Sequence, residues 1–281
     1  MISTKSMTVK VSLAYAMGER LSRQSCLDAK YSIARTVSVK LRPRIGVHIS
    51  IRGGYGRAAR LSWESGATSF QYFPKNLRGL KLKALDVRDT RDCVIFCQEK
   101  GLTSIAHTPY AMNMAANWDA AIPRKVYVDS LLNDLQIAAA CGSLGIVVHF
   151  GHFGGIEPLQ GYQNIIQCMN QKLQLWEGNA RLLIENQAGN RGSEGVTLEE
   201  LVKVRELSRY PEKIGFCLDT CHAYAAGIWN PERTEDMLER GHRLEYWSHL
   251  VWSWKPRRGQ VAVIRMKSPL CLAGSKRGRP V

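Results

Sequence analysis

Gly145-Ile146-Val147-Val148-His149 is a short apolar run that ends on a histidine. Residues 125–141, just before it, carry a helical pattern. The next apolar run, Leu182-Leu183-Ile184-Glu185, ends on a glutamate. The same rhythm of short strand, polar loop and helix continues in both directions. Upstream strands are expected at residues 45–51, 68–73 and 103–107, and one lies downstream at 214–219. Further helical patterns cover residues 87–100, 198–208 and 231–246. Strands alternating with helices imply βαβ units and a parallel sheet. The spacing is that of a (β/α)8 barrel, a fold that usually takes about 250 residues. The expected class is therefore α/β, a TIM-type (β/α) barrel over residues 44–250, incomplete at six of its eight units.

Four of these strands end in a potential metal ligand. Ser104-Ile105-Ala106-His107, Ile146-Val147-Val148-His149, Leu182-Leu183-Ile184-Glu185 and Gly215-Phe216-Cys217-Leu218-Asp219 share this design, and His222 follows three residues after the last. A parallel barrel gathers the C-terminal ends of its strands on one face, where active sites sit. Imidazole nitrogens and carboxylate oxygens suit zinc or manganese. A histidine after an apolar strand is commonly a hydrogen-bonded structural residue, and an acid there is commonly a helix cap. Four consecutive strands ending alike point instead to a metal centre. The Cys217-x-x-x-Cys221 pair has the wrong spacing for a zinc knuckle and reads as packing.

Composition sets the frame. The chain has 281 residues, 45% hydrophobic and 22% charged, enough to bury a sizeable core. No apolar run is long enough to span a membrane, and no secretory signal is evident, so a cytoplasmic protein is expected. The eight cysteines are scattered, as expected of reduced thiols rather than a disulfide frame. The net charge of +15 would suggest a polyanion partner, but it is concentrated at the two ends. Residues 1–43 are basic with weak periodicity and read as an extension outside the barrel, with a transit peptide as the alternative. Residues 251–281 contain no Asp, Glu or His and read as a separate basic tail with no strand beyond a short run near 261–265.

Several stretches resemble the endonuclease IV family in order and spacing. They are Gly46-Val47-His48-Ile49-Ser50, Phe70-Gln71-Tyr72-Phe73-Pro74-Lys75-Asn76, His107-Thr108-Pro109-Tyr110, Glu185-Asn186-Gln187-Ala188-Gly189 and Asp219-Thr220-Cys221-His222-Ala223-Tyr224-Ala225-Ala226-Gly227. The resemblance covers residues 44–250 and implies a xylose-isomerase-like barrel with a trinuclear zinc centre. His107 and His149 would bind the first Zn2+, Glu185 would bridge the first and second, Asp219 would hold the second and His222 the third. Glu185 is the expected catalytic carboxylate, and Mn2+ could replace zinc. Asn76, Arg78 and Tyr110 match the family's DNA-contacting positions, whereas His48 is not a family ligand and His152 reads as a solvated loop residue. The implied partner is duplex DNA with abasic sites, cleaved 5′ of the lesion by a monomeric enzyme to leave a 3′-hydroxyl.

The chain departs from the family after Leu250. The later strands that supply the remaining ligands have no counterpart, so four of the family's nine metal ligands are missing and only the first site keeps its full set. The abrupt change of composition is what a reading-frame change or truncation would leave. Two other readings compete: a sugar isomerase or epimerase on the same fold, and a non-catalytic remnant of the nuclease.

Overall fold

The structure is a computed structural model that describes residues 44–117, 123–189, 194–257 and 260–264, with side chains as far as Val251 except that of Arg124. These residues fall within one compact unit, Pro43–Ser268. The expected extension over residues 1–43 lies outside the described residues.

The strands β1 (Gly46–His48), β2 (Ser69–Tyr72), β3 (Thr103–His107), β4 (Gly145–His149), β5 (Arg181–Glu185), β6 (Ile214–Asp219), β7 (Leu250–Arg257) and β8 (Gln260–Ile264) form one sheet in chain order. All neighbours from β1 to β7 run parallel; β8 is antiparallel to β7 and lies beside β1. The helices α1 (Tyr55–Glu64), α2 (Val87–Lys100), α3 (Arg124–Ala140), α4 (Pro158–Leu173), α5 (Leu198–Leu207), α6 (Thr220–Ala225), α7 (Thr234–Arg243) and α8 (Tyr246–His249) fill the crossovers. After β7 the alternation stops, because the chain turns straight back into β8. The barrel is thus irregular and incomplete in βα units.

The sheet nevertheless extends further than the sequence pattern indicates. The pattern predicts six strands, and β7 adds a seventh parallel one, pairing Trp252, Ser253 and Trp254 with Cys217, Leu218 and Asp219. Pro256 and the basic residues around it read as loop chemistry. The local alternation in Val251-Trp252-Ser253-Trp254 is too short to outweigh them without the edge of β6 in view.

Local signals explain the element boundaries. Asp86 caps α2 by accepting from Asp89 N, and Gly101 closes that helix at φ 63°, a conformation that favours glycine. Thr197 and Glu200 begin α5 as a capping box: the threonine accepts from Glu200 N, and the glutamate reaches back to Gly195 N and Val196 N.

Strand alternation separates two cores. Ile146, Val148, Leu182, Ile184 and Phe216 pack outward in the main core. Ile105, Val147, Leu183 and Cys217 face inward as a separate layer. Two glycines make room for that layer. A Cβ on Gly145 would stand 2.4 Å from Arg181 O and 3.0 Å from Leu183 Cγ, and one on Gly215 would stand 2.9 Å from Leu183 Cδ2. His107, His149, Glu185 and Asp219 each lie two residues beyond an inward-facing residue, so the period of two aims all four into the C-terminal mouth.

Candidate metal centre

His149 and Glu185 are direct neighbours in the β4–β5 register. His149 Nε2 lies 3.2 Å from Glu185 Oε2, and His107 Nε2 lies 3.4 Å from the same oxygen. His107 and Glu185 are buried, while His149 is partly open to solvent. The Nδ1 of His107 is 2.7 Å from Thr108 O. A carbonyl only accepts, so Nδ1 carries a proton and Nε2 is the ring nitrogen that faces Glu185, where the neutral ring would offer a lone pair to a metal.

Asp219 ends β6 and caps α6. Its Oδ1 accepts from Cys221 N at 2.7 Å and His222 N at 2.9 Å. Asn186 fixes the backbone beneath it, donating to Asp219 O at 2.9 Å and accepting from Asp219 N at 2.7 Å. Asn186 O also holds His222 Nδ1 at 2.9 Å, which leaves Nε2 as the nitrogen that could ligate a metal. Asp219 Oδ2, the oxygen that takes no cap bond, is 4.0 Å from His222 Nδ1. Asn186 therefore orients both an expected acid ligand and an expected histidine ligand.

The residues converge in two groups, His107–His149–Glu185 and Glu185–Asp219–His222, each with ligand atoms all within 4.8 Å of one another. Glu185 belongs to both. His222, expected to serve a third ion by itself, here joins the second group. Burial works to raise the Glu185 carboxyl, but His107 and His149, when protonated, outweigh it and hold it well below the usual range. Burial and then the charge of Glu185 push Asp219 upward. Two buried carboxylates this close are costly without positive charge. Glu185 Oε2 has no hydrogen-bond partner although it is buried. An orphaned carboxylate oxygen facing two imidazoles is the donor set of a divalent ion such as zinc, so the residues present fit a metal.

The expected DNA-contacting residues border this centre unequally. Tyr110 is exposed and sits between the rings of Phe73, at 5.2 Å, and His149, at 5.9 Å. Asn76 is exposed, holds Arg78 N at 3.0 Å, and shares with Tyr110 a cleft of ≈ 1040 Å3. Arg78 is exposed on the same loop but is not among the residues lining that cleft. A second cavity of ≈ 270 Å3 lies across Tyr110 and is lined by His149, His152, Glu194 and His222. Cys217 is buried as expected, whereas Cys221 is exposed rather than packed.

The sequence alone assigned no role to several residues of this region. His48 faces the centre, its ring 4.9 Å from Phe73, and burial followed by the His107 charge lowers it to about 4. Lys75 is buried against Asp134 at 3.0 Å and donates to Ser130 O and Oγ, pinning the loop that carries Asn76 to α3. Lys83 and His152 line the two cavities. His48 and Lys75 lie within the stretches that resemble the family, whereas Lys83 and His152 carry no sequence signal beyond their place in loops that follow strands.

Comparison with known proteins places the chain. Residues 59–251 match the family model described as xylose isomerase-like TIM barrel. A protein of Symbiobacterium thermophilum named "Probable endonuclease 4" is 37% identical over 207 residues, 74% of each chain. Another of that name, from Methanoculleus marisnigri, is 33% identical, and the match spans 65% of its length. The crystal structure of endonuclease IV from Thermus thermophilus superposes with a TM-score of 0.61 at 29% identity, covering 74% of this chain and 77% of that one. A D-tagatose 3-epimerase-like protein, 16% identical with a TM-score of 0.52, shares the fold alone. With the motifs from His107 to His222 gathered at one barrel mouth and these relatives at this identity and coverage, the chain belongs to the endonuclease 4 family of xylose isomerase-like TIM barrels.

Proposed function

We propose that the chain is a divalent-metal-dependent hydrolase that cleaves the DNA phosphodiester 5′ of an abasic site, leaving a 3′-hydroxyl. The observation that carries this reading is the Glu185 carboxylate shared between His107–His149 on one side and Asp219–His222 on the other. The metal would be Zn2+, with Mn2+ as a substitute, held by His107, His149 and Glu185; Asp219 and His222 would hold further charge beside it. Such an ion, when bound, supplies charge neutralisation at an anionic phosphodiester and lowers the pKa of water.

The protein's own residues do the remaining work. Thr108 O and Asn186 O hold the Nδ1 atoms of His107 and His222, so that with a metal bound the Nε2 lone pairs would face it. Tyr110 stands exposed beside His149, where its ring can fill the space left by a missing base. An abasic nucleotide lacks a stacked base, which makes it cheap to extrude toward such a mouth. Asn76 and Arg78 supply donors for the backbone on the side of the β2–α2 loop.

The test is a duplex with a single abasic site, incubated with the purified 281-residue chain and Zn2+ or Mn2+. Metal-dependent nicking 5′ of the lesion, lost on Glu185→Ala, is the expected result. Ketose isomerisation without nicking would replace this reading with a sugar-converting one.

A further inference from the structure

The ≈ 1040 Å3 cleft beside the metal centre has an electrostatic character opposite to it. Its lining includes Arg52, Lys75 and Lys83 but no Asp or Glu. The three cations are not equivalent. Lys75 is spent on Asp134, with both side chains essentially fully buried. Arg52 stands exposed at the rim. Lys83 is the cation built into the wall.

Its placement is rigid. Lys83 N donates to Asn133 Oδ1 at 2.9 Å and Lys83 O accepts from Asn133 Nδ2 at 2.9 Å, a reciprocal pair that clamps the residue to α3. The ammonium lies 4.3 Å from the centre of the Tyr55 ring and donates to the Tyr55 hydroxyl at 2.8 Å. That hydroxyl donates its own proton to Pro74 O at 2.6 Å. Tyr55 is kept neutral, since burial and then nearby thiols and acids push its phenol upward. Lys83 therefore gains a lone pair from Tyr55; burial lowers its ammonium from the usual lysine range, and the charges of Asp89 and Asp86 partly offset this. The acids nearest in sequence are committed elsewhere: Asp89 holds Tyr55 N and Gly56 N, and Asp86 caps α2. Among the described residues the ammonium has no carboxylate partner, and a lysine offers three donors.

We infer that Lys83 is a preset phosphate-binding residue, which takes a backbone phosphodiester of the DNA strand lying in this cleft, away from the bond that is cut. This rests on the DNA reading above and adds a second anchor to it. The resemblance marked Asn76, Arg78 and Tyr110; Lys83 comes from the geometry alone. A single positioned cation of this kind fixes register on the strand and carries no base preference.

The experiment measures binding rather than cleavage. The full chain, wild type or Lys83→Met, is titrated by fluorescence anisotropy with a duplex carrying a non-cleavable abasic analogue, over a range of salt concentrations. Neutralising one cation contact should weaken binding about threefold to tenfold and reduce the slope of log K against log salt by about one. Lys83→Arg should recover the slope. Replacing single phosphates by neutral methylphosphonates should identify one position whose effect is present in wild type and absent in Lys83→Met. The variant must keep the wild-type circular dichroism and melting temperature; Lys83→Arg serves as the folded comparison if it does not. An unchanged slope in Lys83→Met, with wild type binding DNA normally, overturns the Lys83 assignment and leaves the nuclease reading standing. Failure of wild type to bind DNA at any salt overturns both. A borohydride-trapped imine between Lys83 and an abasic aldehyde would give this amine a covalent role and overturn the phosphate assignment. Competition by inorganic phosphate as strong as that by duplex would make the site one for the free anion instead of the strand.

Discussion

His149 and Glu185 face each other across the β4–β5 ladder, with His149 Nε2 3.2 Å from Glu185 Oε2. Because Glu185 is common to both ligand groups, it is the residue whose loss should affect the most. Glu185→Ala is expected to abolish tight metal binding and to lower nicking by at least about 100-fold, the scale on which losing one charge-stabilising group acts. Elemental analysis of the purified variant, alongside the nicking rate, checks this. A Glu185→Ala protein that retains the wild-type metal content would show that the ion is held elsewhere.

That relationship is legible in the amino-acid sequence, because the period of two does most of the work. Ile105, Val147, Leu183 and Cys217 face the barrel interior, and the residue two further along each strand must do so too. What the sequence could not reveal depends on distant partners. Lys75 looks like a surface lysine until Asp134, on the far side of a crossover, is brought within 3.0 Å. Strand β7 is likewise invisible in Val251-Trp252-Ser253-Trp254-Lys255-Pro256 alone, because its stability comes from the edge of β6. For the same reason the six-strand pattern implies open edges on the first and sixth strands. In the structure β7 covers β6, and β8 lies beside β1.

The β7 pairing makes a prediction about the chain's stability. Deleting residues 251–281 would remove the partners of Cys217, Leu218 and Asp219 and open the edge of a strand that is buried along its whole length. Such an edge is a template for aggregation. The shortened chain should elute as oligomers or aggregate, and amide exchange at Cys217–Asp219 should accelerate strongly. Equal protection of these amides in both chains would mean that β7 contributes nothing.

The Lys75–Asp134 pair should behave as a buried ion pair does. Above about pH 7, where Asp134 is ionised, Lys75→Met alone strands a carboxylate and Asp134→Leu alone strands an ammonium; each should cost about 3 kcal/mol or more. The double variant should recover most of that, because the desolvation cost of both charges is removed together. A pH signature accompanies it. Burial, only partly countered by Lys75, pushes Asp134 up to about 7. Between about 4 and about 7 the folded state holds a proton that the unfolded state has lost, so this group's stabilisation fades as pH rises through that window. Urea unfolding at several pH values should show the fall in wild type and its absence in Asp134→Asn. Additive single-variant losses in the double variant would exclude the pairing.

Gly145→Ala tests the inner layer without touching the metal ligands. The added methyl would meet Arg181 O at 2.4 Å and Leu183 Cγ at 3.0 Å. The carbonyl belongs to the β5 backbone and cannot move aside independently. Overpacking of this kind should cost about 1–3 kcal/mol. The melting temperature should fall, and the β4–β5 register that sets His149 beside Glu185 should loosen, with metal affinity dropping in parallel. A stability change within about 0.5 kcal/mol, the usual range for an innocuous substitution, would indicate that the sheet accommodates the methyl.

The last prediction concerns how active the chain is. His107, His149 and Glu185 are one group of three that could hold an ion, the ligand number of a catalytic zinc site. The second set, Glu185–Asp219–His222, shares its first carboxylate with that site and brings only Asp219 and His222 of its own. The family resemblance implies nine ligands, four of which have no counterpart here. The purified chain should therefore retain about one tightly held metal and bind further metal only weakly, so that added Zn2+ or Mn2+ raises the rate. At saturating metal, nicking should still fall orders of magnitude below that of a relative with the complete ligand set, because the charge around the phosphate is only partly supplied. Stoichiometry by elemental analysis and single-turnover rates on an abasic duplex decide the matter. A chain that holds three metals through gel filtration and nicks within tenfold of the relative would prove this account wrong and would require ligands from beyond Leu250.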